Sequence, residues 1–393
     1  MSAEDFMADS PRRGRPRPGL RATRAPRWQR HLPTSRAEWV FSVSIILGFA
    51  IGLTITLNRD LLPESYNLDA RRIYGIASGQ MPEFADRSYT PVGVTYRLLG
   101  LGASPTAAAL FGYALAVVVI ITALIHSGRR TASLLVGCYI LATFALAGVY
   151  LGQYSKDIFI LPIALLIILL PRPIWVEIFI VASMIAYAIL YRDYWAITAA
   201  AYVVLRIITI RQVRMRYLLA IGAFGAALAG LAFYFVLGFA PNHFRTAVQG
   251  HLDANTFIHN MEIGPQPVGG MIDVLINYGL LFAPVTLITS AGWLYVVVIA
   301  GTIFARAYPL MSGTSAVRWP AIDTIDGVLV RRSVSILIAF VAVQALFEPD
   351  YGSALRHLTP LMPIAIVLMQ SARSGKHRLG RARPFSWSGA GAE

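Results

Sequence analysis

What most constrains this chain is a series of apolar runs, each long enough or nearly long enough to cross a membrane. They occupy about 39–57, 106–125, 131–151, 154–170, 173–190, 194–210, 217–238, 289–306, 333–347 and 358–370. A helical crossing of the ~30 Å hydrocarbon core needs about 20 residues. No water is available there, so backbone N–H and C=O groups must pair internally, which leaves helices and closed barrels. A barrel strand alternates apolar and polar residues, whereas these runs are continuous. The predicted fold is an all-α integral membrane protein of about ten transmembrane helices, with amphipathic or re-entrant helices on its outer face. Charged residues make up only 14% of the chain, against roughly 25% in soluble domains.

Charge then sets the sidedness. The net charge of +14 suggests nucleic acid until its distribution is followed. Lys and Arg fall in short clusters between apolar runs and at both ends, as cytoplasmic loops require. With the N-terminus inside, 25 of the 34 basic residues fall inside and nine outside. Residues 1–38 read as a disordered basic cytoplasmic tail, 39–370 as the helical bundle, and 371–393 as a second basic tail. The stretch 271–288 is apolar but holds Asp273, Asn277 and Pro284. Counting it as a crossing breaks the charge parity, so it is predicted to be interfacial or re-entrant on the outer side. The single cysteine, Cys138, sits in an apolar run and offers neither a disulfide nor a metal framework.

Three predicted crossings are short: 154–170, 333–347 and 358–370. At 1.5 Å per residue they span only about 20–25 Å. Their outer ends, Ser155-Lys156-Asp157 and Glu348-Pro349-Asp350-Tyr351 through Arg356-His357, should therefore lie below the membrane surface. Charge at that depth is costly unless it meets a partner or a wet cavity, which implies a polar funnel open to the outside.

Five outer segments carry the chemistry. In the first loop Asp69 and Arg72 share one face of a short amphipathic helix, followed by Asp86 and Arg87. Asp69 is a carboxylate for acid–base work and the arginines suit phosphate; local ion pairing of an interfacial helix is the plainer alternative. Lys156 is a phosphate contact or an outward-reaching lysine, and Asp157 a second carboxylate or a helix cap. Arg192 suits bidentate phosphate recognition, with Tyr194 and Trp195 placed to stack on sugar rings or to mark the interface. The long loop 239–270 contributes Arg245. Its glycines permit lid motion, and the spacing of His251 and His259 offers no metal site. Last come Asp350, Tyr351, Arg356 and His357, where an Asp350–Arg356 pair closing the turn is the structural alternative. As base, Asp69 comes first and His357 second, since Arg356 beside Asp350 would weaken that carboxylate. No nucleotide-binding loop is present, so the substrate must bring its own activation. No cofactor or metal is expected.

Taken in order, Asp69, Asp86-Arg87-Ser88-Tyr89, Ser155-Lys156-Asp157, Arg192-Asp193-Tyr194-Trp195, Ala254-Asn255-Thr256 and Tyr351 through Pro360 resemble the bacterial Wzy-type and EpsG-like membrane polysaccharide polymerases. The arginine-to-glycine loop motif of some O-antigen polymerases is absent. The resemblance implies a multi-pass protein of the bacterial cytoplasmic membrane, in which the basic split places both termini on the cytoplasmic side. It implies polymerisation of polyprenyl-diphosphate-linked repeat units at the outer face, among other envelope-polysaccharide assembly proteins. Two alternatives stand beside it: a GT-C-type transferase using a polyprenyl-phosphate sugar, and a lipid-linked-oligosaccharide transporter.

Overall fold

The computed structural model describes residues 35–82, 89–128, 130–170, 173–211, 213–239, 256–258, 264–289, 294–312, 325–348 and 350–371. Asp86, Arg87, Arg245 and most of the loop 239–270 lie outside these. The described residues are helical, with no strand. In chain order the helices are α1 (Arg36–Leu57), α2 (Leu68–Ala77), α3 (Thr90–Leu98), α4 (Pro105–His126), α5 (Leu134–Leu146), α6 (Leu161–Leu169) and α7 (Ile174–Leu190). They continue with α8 (Trp195–Ile210), α9 (Met215–Leu237), α10 (Val268–Phe282), α11 (Leu294–Ser312), α12 (Ile325–Phe347), α13 (Tyr351–Leu358) and α14 (Met362–Ser371). Six described helical stretches are long and apolar enough to cross a membrane: Arg36–Leu57, Pro105–His126, Leu134–Leu151, Met215–Leu237, Gly327–Phe347 and Tyr351–Gln370. Four more are apolar but shorter, at Ile174–Leu190, Trp195–Ile210, Val268–Phe282 and Leu294–Ile303.

The α1 start is written in its sequence. Ser35 and Glu38 form a capping box, Glu38 N–H donating to Ser35 Oγ at 3.2 Å and Ser35 N–H to Glu38 Oε2 at 3.1 Å; together they satisfy two otherwise orphaned donors. The apolar side chains on α1 surround it, so its packing face is set by small residues instead. Gly48 and Gly52 lie against α5, and a Cβ on Gly148 would strike the carbonyl of Gly52. Close approach through small residues is how helices associate where no hydrophobic drive acts between them. Gly148→Val should therefore lower the unfolding midpoint in detergent, overpacking of this kind costing about 1–3 kcal/mol. Gly225→Ala, where an added Cβ meets open space, should leave the midpoint unmoved.

Two of the short sequence-predicted crossings are longer in the structure. The run 333–347 is the C-terminal part of α12, which starts at Ile325 and takes in Arg331 and Arg332. The run 358–370 is continuous with α13, which takes in Arg356 and His357. Sequence hydropathy stopped at these charges because it counts them as unpaired. Here they are not: Arg332 Nε donates to Glu177 Oε1 at 2.9 Å and its Nη1 to Leu170 O at 2.7 Å. Arg206 Nη2 reaches the same Glu177 oxygen at 2.7 Å, and Tyr202 Oη donates to Oε2 at 2.8 Å. This cluster ties one end of α7, α8 and α12 together. The third short run, 154–170, keeps only nine residues of α-helix, Leu161–Leu169.

The ambiguous stretch 271–288 forms α10 and a 3-10 segment, Val285–Thr289. Tyr278 Oη donates to Leu219 O on α9 at 3.1 Å, and Thr286 Oγ1 lies 2.8 Å from Tyr351 Oη at the start of α13. These contacts tie α10 to α9 and the 3-10 segment to the start of α13.

Candidate functional site

The site assembles at the end of the bundle opposite the Glu177 cluster. It begins where α5 gives way to a π-turn, Ala147–Leu151. The end of that turn leaves carbonyls without helical donors, and Arg59 takes two of them, Nη1 donating to Gly148 O and Val149 O at 3.0 Å each. Its other N–H groups bond Asn67 Oδ1 and Gln153 Oε1 at 2.8 and 2.7 Å. All its donors point into the protein, so Arg59 is a clamp for the turn rather than a ligand contact.

The clamped turn leads into Ser155 and a 3-10 turn, Lys156–Ile160. Ser155 Oγ accepts from Asp157 N–H at 3.2 Å, and Tyr96 Oη accepts from Ser155 N–H at 3.0 Å. The cap expected of Asp157 is thus supplied by Ser155, and the Asp157 side chain is free to point inward. It is fully buried. Three cationic or basic groups converge on it: Arg192 Nη2 at 3.3 Å, Arg356 Nε at 3.3 Å and His357 Nδ1 at 3.2 Å. Arg356 continues outward, its Nη1 2.5 Å from Asp69 Oδ2. Asp69 also accepts from Tyr89 Oη at 2.6 Å. The result is one continuous chain, Arg192–Asp157–Arg356–Asp69–Tyr89, contributed by five separate parts of the sequence.

Partner chemistry fixes the His357 tautomer. A carboxylate only accepts and a guanidinium only donates. His357 Nδ1 faces Asp157, and Nε2 lies 3.1 Å from Arg192 Nη1. In the neutral ring Nδ1 therefore carries the proton and the Nε2 lone pair receives Arg192. On the same side Ser353 Oγ donates to Glu348 Oε2 at 2.8 Å and lies 3.3 Å from Nε2. Burial alone would raise the Asp69 pKa, but Arg356 and the Tyr89 hydroxyl hold it below the ordinary aspartate range. The Tyr89 phenol is pushed up, by burial first and then by Asp69, so it stays a donor.

Lys156 differs from the two arginines. It is 7% exposed, and its ammonium lies 4.1 Å from the centre of the Tyr89 ring. Among the described residues no carboxylate lies within ion-pair distance and none of its N–H groups makes a hydrogen bond. It is the cation of the cluster not already committed to a carboxylate.

Helix α13 divides this charged cluster from an apolar cavity. Ser353, Arg356 and His357, at i, i+3 and i+4, lie on the charged side. Tyr351, Ala354, Leu355 and Leu358 line a cavity of about 220 Å³ against α9–α12, with Gln344 also in its lining.

Of the residues singled out from sequence, Asp69, Lys156, Asp157, Arg192, Arg356 and His357 come together, with Tyr194 accepting from Arg192 Nη1 at 3.3 Å. Arg72 lies at the margin, 5.9 Å from the Tyr89 ring centre. Three residues do not join. Trp195 is fully buried between Tyr187 and Phe340, so it is core and has no open face for a sugar. Tyr351 turns to the apolar cavity. Asp350 caps α13, accepting from Gly352 N–H and Ser353 N–H at 3.1 Å each, and the expected Asp350–Arg356 pair is replaced by Arg356 with Asp69 and Asp157. Sequence reasoning passed over Tyr89, Glu348 and Ser353 as site residues. For Ser353 a signal existed, since it stands one helical turn before His357. No protein-family model, curated protein or solved structure matches the chain.

Proposed function

We propose that this protein is a membrane glycosyltransferase acting at the outer face of the bacterial cytoplasmic membrane. Its donor is a sugar or oligosaccharide carried on polyprenyl phosphate or diphosphate. Polymerisation of repeat units is the first reading and addition of a single sugar the second; ten crossings with both termini cytoplasmic complete the picture. The observation that carries the proposal is Lys156, a largely buried lysine whose ammonium has no acceptor among the described residues, beside the Arg192–Asp157–Arg356–Asp69 chain. Such a group is costly in isolation and is rationalised by an anionic ligand. The amphipathic build of α13, cationic on one side and apolar on the other, suits a ligand with a phosphate head and a hydrocarbon chain.

In the reaction an acceptor hydroxyl oxygen bonds to the anomeric carbon. The bond from that carbon to the phosphate oxygen breaks and its electron pair stays on the phosphate. The hydroxyl proton passes to Asp69, or onward to the released phosphate. Lys156 then faces more negative charge in the transition state than in the bound donor, which is the condition for accelerating the chemical step.

Proteoliposomes supplied with lipid-linked donors and acceptors test this. Arg192→Ala and Arg356→Ala should each lower transfer by about 10²-fold or more, as lost electrostatic stabilisers do. Near-normal transfer in both variants would make the cluster structural. Product ladders favour the polymerase and single additions the simpler transferase, while lipid moved but chemically unchanged indicates a transporter.

A further inference from the structure

The charged cluster uses one side of α13 and leaves the cavity on the other side without a role. Apart from Gln344 and two tyrosines, Tyr278 and Tyr351, every lining residue is aliphatic, Met, Gly or Phe. Both tyrosine hydroxyls are engaged elsewhere, with Leu219 O and Thr286 Oγ1. Voids wider than a water molecule are few in a close-packed interior. An apolar one stays dry and accepts apolar guests; since an apolar cavity of about 150 Å³ takes one benzene ring, about 220 Å³ has room for about nine carbons, close to two isoprene units. The cavity also has a way in. Gly279 lines it and is exposed, and a Cβ added there meets nothing within 4 Å. Leu275, one turn earlier on the same face of α10, is exposed too, so the mouth at Gly279 is bordered by apolar surface. On its inner side the cavity adjoins the charged cluster: Gln344 lies beside Tyr194, which accepts from Arg192 Nη1.

We infer that this cavity seats the hydrocarbon chain of the ligand whose phosphate lies beside Lys156: a segment of one prenyl chain, entering from the apolar surface at Gly279. The inference rests on the transferase reading for the phosphate and adds a separate site for the chain. Head and chain then lie on opposite sides of α13. At its Leu358 end that helix runs on through Thr359–Leu361 into α14, so the ligand passes the Tyr351 end. Tyr351, singled out from sequence as a ligand contact, meets the chain and not the phosphate. Room for one short chain segment favours a single-chain prenyl carrier over a two-chain phospholipid. Where both bilayer and cavity are apolar, the preference for the cavity comes from close packing against its walls, so filling the cavity removes it.

The test uses the full-length protein in nanodiscs and farnesyl phosphate carrying a photoreactive diazirine on its second isoprene unit. After irradiation, mass spectrometry should find the label on cavity residues such as Phe282 and Ile299. Unlabelled farnesyl phosphate should compete it away, and an equal amount of phosphatidylglycerol should not. Gly279→Leu, which places a side chain in the open space at the mouth, should lose most of this labelling. Val298, exposed on α11, reports on bulk lipid and should label equally in both proteins. Label confined to outward residues such as Val298, or competition by phosphatidylglycerol as strong as by farnesyl phosphate, overturns the inference and leaves the transferase reading standing. If Lys156→Met labels the cavity as strongly as wild type, the chain sits there without help from the phosphate contact, and the inference and the transferase reading fall together. The label position and the two competitors are read on the wild-type protein, so the result stands even where a variant fails to fold.

Discussion

Asp157→Asn should be among the most damaging single-atom changes available in this protein. The substitution keeps the shape and removes the charge on which Arg192, Arg356 and His357 converge. An amide oxygen can still accept from one of them, but its NH₂ group then faces cations and donors. Removing one partner of a buried pair typically costs about 3–5 kcal/mol because the other charges are left uncompensated. A lower unfolding midpoint in detergent and loss of transfer should therefore appear together. The readout specific to the ion pair is a double-mutant cycle. Arg192→Met alone leaves Asp157 short of a partner, and adding it to Asp157→Asn should cost far less than the sum of the two single losses. Additive losses would mean that the two residues act independently, and the chain drawn through Asp157 would be wrong.

The cluster was legible in outline because hydropathy and parity do two different jobs. Apolar runs give the helices; the alternation of basic loops gives their direction. Once direction is assigned, Asp69, Lys156, Arg192 and Arg356 must share an end of the bundle, though they lie more than 100 residues apart at the extremes. Parity says nothing about who pairs with whom. The notion that Arg356 would serve Asp350 came from their nearness in sequence. In the helix, Asp350 is spent on the N-terminal amides of α13, whereas Arg356 lies one and a half turns on and looks toward α2 and the Lys156 turn. Trp195 shows a similar limit. An aromatic beside Arg192 and Tyr194 looks interfacial in sequence, but as the first residue of α8 it turns inward onto Phe340. Arg59 shows the reverse: nothing in its sequence neighbourhood marks it, and only the carbonyls released at the end of the π-turn explain why it is there.

Asp69→Asn separates binding from chemistry. On the proposed transferase reading Asp69 is the best-placed base, since Asp157 is fully buried and the His357 Nε2 lone pair is occupied by Arg192. Its side chain is 25% exposed at the open side of the cluster. The same contacts that place it also weaken it, because Arg356 and Tyr89 stabilise the carboxylate. It should therefore accept the proton late, once cleavage of the anomeric bond has made the attacking hydroxyl acidic. The sign of the pH dependence follows. A carboxylate held below its unfolded pKa stays ionised through the ordinary aspartate range, so its stabilisation is present above that range and is lost only as pH falls through the lower, folded value. Transfer by the wild-type protein should accordingly show no acid limb near neutrality; a limb in the imidazole range would move the role to His357. In Asp69→Asn, transfer should fall by about 10²–10⁴-fold, the usual contribution of a positioned base. Binding of the lipid-linked donor should be unchanged or tighter, because Arg356 loses a competing carboxylate. Tyr89→Phe should do less: it removes one hydrogen bond from Asp69 while keeping the ring under Lys156. If Asp69→Asn transfers at the wild-type rate, Asp69 only positions Arg356, and the proton leaves by way of the phosphate itself.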